Sequence, residues 1–440
     1  MRLRSFNLKL ALISGSSLLI YLGVMVVRLQ AVTSKPDGDA QLWTLWGKRV
    51  ETIALDEYYG PILDVFPRDK FVGENLEILV THPDRMPTDV MIMKLMTYTY
   101  PVLGIENFDH VWTWLRFGVG CLFFLVSMLL LVSIVRKVTN HDQLALRVAV
   151  AFGFCPLFIV AGAFWGSWES VALGLLLAGF RLLLVPGWWA WGMGGVFCAL
   201  AVEERPHVGI VALVLAPLAC SSFTGWRTVA FLLGGTGTAA AINAAVGIGT
   251  FWRGTNGSLL DLLHYSATEW NVLSHFGASL WQFHPDPMGR VDETTVLGLT
   301  PLWLAMVAIL VTSAGAICIS RRQTLRDRLM YLAVVLGMTW FLVFPSMTER
   351  FSYFPIVGLL VFTALANERF GWLLLLTAML LGGGNALVKP GLALKYLAFG
   401  FVLTTALFVK WGRDRSLSVA VDGSVMTESE TRSSLGDERA

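Results

Sequence analysis

"RFGVGCLFFLVSMLLLVSIVRK", residues 116–137, decides the fold class. No residue between Arg116 and Arg136 is charged. A helix of that length crosses a hydrocarbon core of ~30 Å. The run is continuous rather than alternating, which favours a helix over a barrel strand. Arg136 and Lys137 close it, and such basic pairs collect on the cytoplasmic side of membranes.

The rest of the chain repeats this pattern. Its 440 residues are 55% hydrophobic and 15% charged, too little polar surface for a soluble globule. Other apolar runs of roughly 17–22 residues also suit a membrane core. About twelve spans are expected, near 8–28, 116–135, 145–163, 168–184, 188–202, 207–222, 228–250, 297–319, 329–346, 352–366, 371–388 and 391–410. The fold class is therefore all-α, a polytopic transmembrane helix bundle. Stretches near 168–222 are short enough for half-helices or re-entrant pieces. The N-terminus is basic and then apolar over too long a stretch for a cleaved signal, so it reads as a retained first span. The five cysteines all fall inside apolar runs and read as small core residues. Residues 1–410 form the membrane domain, and 411–440, rich in Ser, Glu, Asp and Arg, read as a disordered cytoplasmic tail.

Orientation follows from Lys and Arg in the short loops. With the N-terminus in the cytoplasm, Arg2, Arg4, Arg136, Lys137, Arg147, Arg181, Arg227, the run at 321–328, Arg369 and the run at 410–415 all fall inside. The C-terminus is then also inside. The outside holds two long loops, about 30–115 and 251–296. From Asp39, "DAQLWTLWGKRVETIA" puts Leu42, Trp43, Trp46, Val50 and Ile53 on one helical face, as in a helix lying on a membrane.

Five polar clusters interrupt the apolar sequence: 37–43, 164–170, 203–209, 268–284 and 347–355. On this topology all five lie at the outer face. Ionisable groups at membrane depth are costly and usually line a cavity.

In order and spacing these clusters resemble those of GT-C glycosyltransferases, and more narrowly the mannosyltransferase-like group that uses polyprenyl-phosphate sugars. The matching stretches are "GDAQLWTLWGKRV" in the first outer loop, "WGSWE" (165–169), "RPH" (205–207), "WNVLSHFGASLW" (270–281) and "MTERF" (347–351). The chain departs from the family's pattern at Ser167, Glu169, Arg205, His207, Thr348 and Phe351. The resemblance implies an inverting transfer of a sugar, mannose by family habit, from a polyprenyl-phosphate donor to an acceptor hydroxyl. The active site would be extracytoplasmic, on a multi-pass protein of the plasma (inner) membrane of the cell envelope.

The residues then take expected roles. Asp39 is the candidate base, since a partly desolvated carboxylate can be raised toward a useful pKa; as a reading of the sequence it serves equally as a helix cap, and Asp37 is an alternative carboxylate. Arg350 is the candidate for the donor phosphate, oriented by Glu349, because a guanidinium binds phosphate bidentately and stays charged. Arg205 and His207 are further candidates for the same anion, or Arg205 a snorkelling helix-end residue. Glu169 would bind sugar hydroxyls, support Arg205, or sit at a helix N-terminus. Trp165, Trp168 and His275 are candidates for the sugar or acceptor, the tryptophans reading also as an interfacial belt. No His, Cys and carboxylate group has metal-ligand spacing, so neither a metal nor another cofactor is expected. The expected partners are the lipid-linked donor, a lipid, glycan or protein acceptor and membrane lipids, with no nucleic acid.

Two Gly-rich stretches, 232–247 and 381–391, read as close helix packing rather than phosphate loops. The rival function is a multi-span lipid or polysaccharide transporter or flippase. That class shows internal repeats and broken helices with polar residues at the midplane, whereas here the polar clusters sit at one boundary.

Overall fold

The computed structural model describes residues 2–34, 46–47, 50–51, 53–59, 86–102, 108–219, 224–250, 252–262, 278–286, 291, 293–296, 298–321, 323–345, 352–387 and 392–412. Among these the regular structure is helical, and the only β contacts are isolated bridges. The helices are α1 Arg2–Ser34, α2 Pro87–Val102, α3 Phe108–Thr139, α4 Asp142–Gly153, α5 Pro156–Phe164, α6 Glu169–Leu183 and α7 Trp188–Val202. They continue with α8 Gly209–Ala219, α9 Gly225–Ala245, α10 Pro301–Ile319, α11 Leu325–Val343, α12 Tyr353–Ala366, α13 Arg369–Leu387 and α14 Leu392–Gly412.

Local chemistry explains several boundaries. Pro87 and Pro301 open α2 and α10, where a fixed φ and a missing N–H cost nothing. Thr324 caps α11 by accepting from Asp327 N at 3.2 Å. Asn367 ends α12 in the left-handed conformation, at φ 49°. Pro156 breaks the run between α4 and α5: Cys155 before it is extended, as a residue preceding proline prefers, and the two helices meet at a 52° bend. The last turn of α5, Val160–Phe164, is wound as a π-helix.

Each of the twelve intervals expected as spans holds a helix. Among the described residues six helices are long and apolar enough to cross a membrane, namely α1, α3, α9, α10, α13 and α14, or seven if the bent α4–α5 pair counts as one. The expected number of about twelve is therefore not reached on length and composition. The physical reason lies in the short helices. A helix of 15 residues, as in α6 and α7, rises about 22 Å, short of a ~30 Å core. Every residue of α12 and most of α6 are buried by protein. An apolar run looks the same in sequence whether lipid or protein covers it.

Glycines set the closest approaches. A Cβ on Gly195 of α7 would stand 2.1 Å from Phe231 O of α9, and one on Gly234 of α9 would stand 2.1 Å from Gly192 O of α7. The two backbones therefore touch directly, and the Gly-x-Gly stretch at 232–247 is a packing surface. On α13, Gly382 and Gly383 likewise rest against Leu157 and Pro156 of α5. A column of rings, Tyr21–Phe124–Phe152–Phe158–Tyr353, joins α1, α3, α4, α5 and α12, with successive centroids 4.7, 5.5, 4.7 and 4.5 Å apart.

The bundle has two chemically different ends. One is basic. There Arg136 pairs with Asp142 at 2.7 Å, Arg181 donates to Ser133 Oγ at 2.9 Å and Arg147 donates to Asn367 Oδ1 at 3.3 Å. Trp411 donates to Glu368 Oε2 at 2.9 Å, so Trp411 and Gly412 belong to the bundle, while the rest of the expected tail lies outside the described residues. The other end carries a cluster of buried carboxylates, Asp89, Glu169, Glu203 and Glu204. In the segment expected to lie on a membrane surface, Trp46 and Val50 are instead buried in the protein core, and Lys94 of α2 donates to Val50 O at 2.7 Å. The described part of its apolar face packs on protein.

Candidate functional site

The turn after α7 builds the centre of the acidic end. Pro206 opens a 3-10 turn and leaves Arg205 extended, at φ −146°. The chain cannot run straight from α7 into α8, and the interruption presents Glu203, Glu204 and Arg205 to three neighbouring helices. Arg205 turns inward. Its Nη1 lies 2.7 Å from Asp89 Oδ2 on α2, donates to Glu204 O at 2.8 Å, and is 3.5 Å from Glu204 Oε1. The side chain is only 11% exposed and both carboxylates are fully buried, so Arg205 is a buried ion-pair residue rather than a snorkelling one. Asp89 sits in the first turn of α2, where the positive end of the helix dipole favours an anion. Beside it, Thr88 N donates to Glu203 O at 3.3 Å.

Glu203 faces α9. Asn243 Nδ2 donates to its Oε1 at 2.9 Å, and both residues are buried. Burial pushes the Glu203 carboxyl up to about 6, against the opposing pull of the Asn243 hydrogen bond. Glu204 is held well above the usual carboxylate range. Burial is the main cause, Arg205 opposes it, and the neighbouring Asp89 and Glu169 carboxyls add to it.

Glu169 starts α6 at the same end. The turn before it is held from two sides. Arg116 of α3 donates to Gly166 O at 2.9 Å and to Trp165 O at 2.7 Å, and Arg28 of α1 donates to Phe164 O at 3.0 Å. Gly166 has φ +61°, and a Cβ there would meet the Phe117 ring at 2.9 Å, so this tight reversal requires glycine. Glu169 is buried, and its charge acts on both Arg205 and Glu204. Of the roles expected for Glu169, a place at a helix N-terminus is the one this geometry shows directly.

The tryptophans do other work. Trp168 is fully buried and its indole N–H donates to Arg116 O at 3.2 Å. This corrects its expected role: a ring with no exposed face cannot stack on a sugar. Trp165 is half-buried, donates to Ala386 O at 2.9 Å and lies under the Arg28 guanidinium at 5.5 Å. His207 stands beside Arg205 in sequence, with its ring against Trp340 at 6.0 Å and Phe354 at 4.9 Å. Part of the second long loop reaches this end too, where Trp281 donates to Val343 O at 2.7 Å.

Thus Glu169, Arg205 and His207, spread over 39 positions of sequence, come to one end of the bundle, together with Glu203 and Glu204 of the polar cluster 203–209 and with Asp89, Arg116 and Asn243, which the sequence reading did not single out. Asp37, Asp39, His275, Glu349 and Arg350 lie outside the described residues. No group of His, Cys, Asp and Glu able to hold a metal occurs among the described residues.

No protein-family model matches the chain, and no characterised protein matches it in sequence.

Proposed function

We propose that this chain is an integral membrane glycosyltransferase of GT-C type, with about twelve membrane helices, some of them shielded from lipid by their neighbours, that moves a sugar from a polyprenyl-phosphate donor to an acceptor hydroxyl. One observation carries the proposal. Four carboxylates and two arginines from α2, α3, α6 and the α7–α8 turn are buried together at the bundle end opposite the Lys- and Arg-rich one. Buried charge of this density is costly and marks functional sites in membrane proteins. The basic end then faces the cytoplasm, and the site opens on the extracytoplasmic side.

In this reading Asp39 removes the acceptor proton, and Arg350, oriented by Glu349, takes the charge that moves onto the phosphate as the glycosidic bond breaks. Arg205 and His207 extend the anion-binding side. Glu169 and Trp165 are the residues assigned to the sugar, Glu169 on opening of the site, with His275 as a further contact from the second outer loop. Mannose remains the first sugar to try.

The test is an assay of purified protein against a panel of polyprenyl-phosphate sugars, with lipid products analysed by mass. The proposal expects transfer from one donor, abolished by Asp39→Asn in protein that stays folded, and a raised donor requirement in Arg350→Ala. No transfer from any donor, or full activity of the Asn variant, counts against it. A transporter reading also has one observation in its favour, the 52° break between α4 and α5, since broken helices are a transporter device. Translocation of the labelled lipid across proteoliposomes without chemical change would favour that reading.

A further inference from the structure

Resting on the donor reading above, we infer that Asp89 competes with the donor's phosphate for the Arg205 guanidinium, and that Asp89 leaves Arg205, carried by α2, when the phosphate binds. Three observations lead there.

The first is occupancy. A phosphate is gripped best by two parallel N–H donors of one guanidinium. Nη1 of Arg205 is already taken by Asp89 Oδ2 at 2.7 Å and by Glu204 O at 2.8 Å. While Asp89 stays, an anion can take only the Nε–Nη2 edge of the guanidinium; the Nη1–Nη2 end opens to it when Asp89 leaves.

The second is charge. Asp89, Glu169, Glu203 and Glu204 are all buried at this end, against the guanidinium groups of Arg205 and Arg116. Arg116 is spent on two backbone carbonyls. Adding an anion to such a set is unfavourable in a medium of low dielectric. Exchange of one anion for another at Arg205 leaves the balance unchanged.

The third is mobility. α2 is tied to the α7–α8 turn at its first residues, through Asp89 and the Thr88 N–Glu203 O bond. Before and behind that tie the segment packs through Met86, Val90, Met93 and Met96, spaced by three and four residues on one face. Methionine surfaces re-pack readily because the side chain is unbranched and flexible. Once the Asp89–Arg205 pair is exchanged, α2 keeps the Thr88 N–Glu203 O bond, the Lys94–Val50 O bond and a methionine face, contacts that can re-form after a small shift.

Removing the competitor should therefore tighten anion binding, which damage to the fold cannot mimic. The experiment measures equilibrium binding of a labelled short-chain polyprenyl phosphate, without sugar, to the purified full chain in detergent. Wild type, Asp89→Asn and Asp89→Ser are compared, with thermal unfolding confirming that each is folded. The Ser variant guards against an Asn side chain that keeps Arg205 engaged. The expected gain is about tenfold in affinity, equivalent to about 1.4 kcal/mol, and it should vanish when Arg205→Gln is added. Equal or weaker binding by both folded variants, with sugar transfer intact in wild type, overturns the inference and leaves the donor reading standing. If wild type and variants bind no lipid phosphate and no sugar is transferred, the donor reading fails and the inference falls with it. An equal gain with inorganic phosphate alone supports the competition and makes a free phosphate, not the lipid, its ligand.

Discussion

Glu203→Gln should stabilise the protein at neutral pH by about 2 kcal/mol. Burial raises the Glu203 carboxyl from 4.5 to about 6, with Asn243 opposing the rise. A folded-state pKa above the unfolded one means the native protein holds that proton more tightly. The stability this contributes is complete below 4.5 and is lost as the pH rises through about 6. At about 1.4 kcal/mol per pKa unit, the ionised carboxylate costs roughly 2 kcal/mol above that window. Glutamine has no such proton to lose. It still accepts from Asn243 Nδ2, and it adds an N–H beside a site where Glu203 Oε2 and Asn243 Oδ1 are both buried without a hydrogen-bond partner among the described residues. The assay compares unfolding midpoints of variant and wild type in detergent from below 4.5 to above 6. The difference between the two proteins isolates residue 203 from the other titrating groups. It should be near zero at the acid end and grow to roughly a thirtyfold change in the unfolding equilibrium at neutral pH. A variant less stable than wild type at neutral pH, or a difference that ignores pH, would refute the reasoning.

Other outcomes follow from the same geometry. Gly195→Ala must open the α7–α9 contact from 2.1 Å toward the 3.4 Å of ordinary contact, at a cost of about 1–3 kcal/mol; an unfolding midpoint equal to wild type would contradict it. Gly166→Ala places a side chain at φ +61° and against the Phe117 ring, and should cost a further ~1–3 kcal/mol, read in the same assay. Arg116→Lys replaces a fork with a point charge, so one of its two carbonyl bonds is lost, at a cost of about 1–3 kcal/mol in stability; on the proposed function, transfer should also fall in protein that is still folded at the assay temperature, and unchanged transfer would dissociate the 164–168 turn from the site. Single thiols engineered at positions 39 and 350 should label from the same side of the membrane, and one at position 181 from the other; labelling 39 and 350 from opposite sides would end the site proposal.

Much of the fold was legible because helix-forming apolar runs are local. Each interval expected as a span holds a helix. What was not legible is which helices meet lipid. α12 and α10 are both apolar throughout, yet α12 is wholly buried and α10 largely exposed. The site was legible in part for the same reason. Glu169, Arg205 and His207 announce themselves by interrupting apolar sequence. Asp89 does not, because it lies in a long segment read as a loop and its partner is 116 positions away. A local signal was present: "MPTDVMIM" sets a proline and an acidic residue ahead of an apolar run, the mark of a helix start. Trp168 misled because an indole buried against Arg116 and one lying in a membrane interface have the same neighbours in sequence.

The meeting of α7 and α9 limits how this protein can diverge. In most helix pairs a larger side chain on one partner can be matched by a smaller one opposite. Here the facing positions, Gly192, Gly195 and Gly234, are already glycine, so there is nothing left to trim. Sequence drift at this seam can only proceed by parting the helices, and because Glu203 and Asn243 ride on their ends, it would pull the acidic centre apart as well.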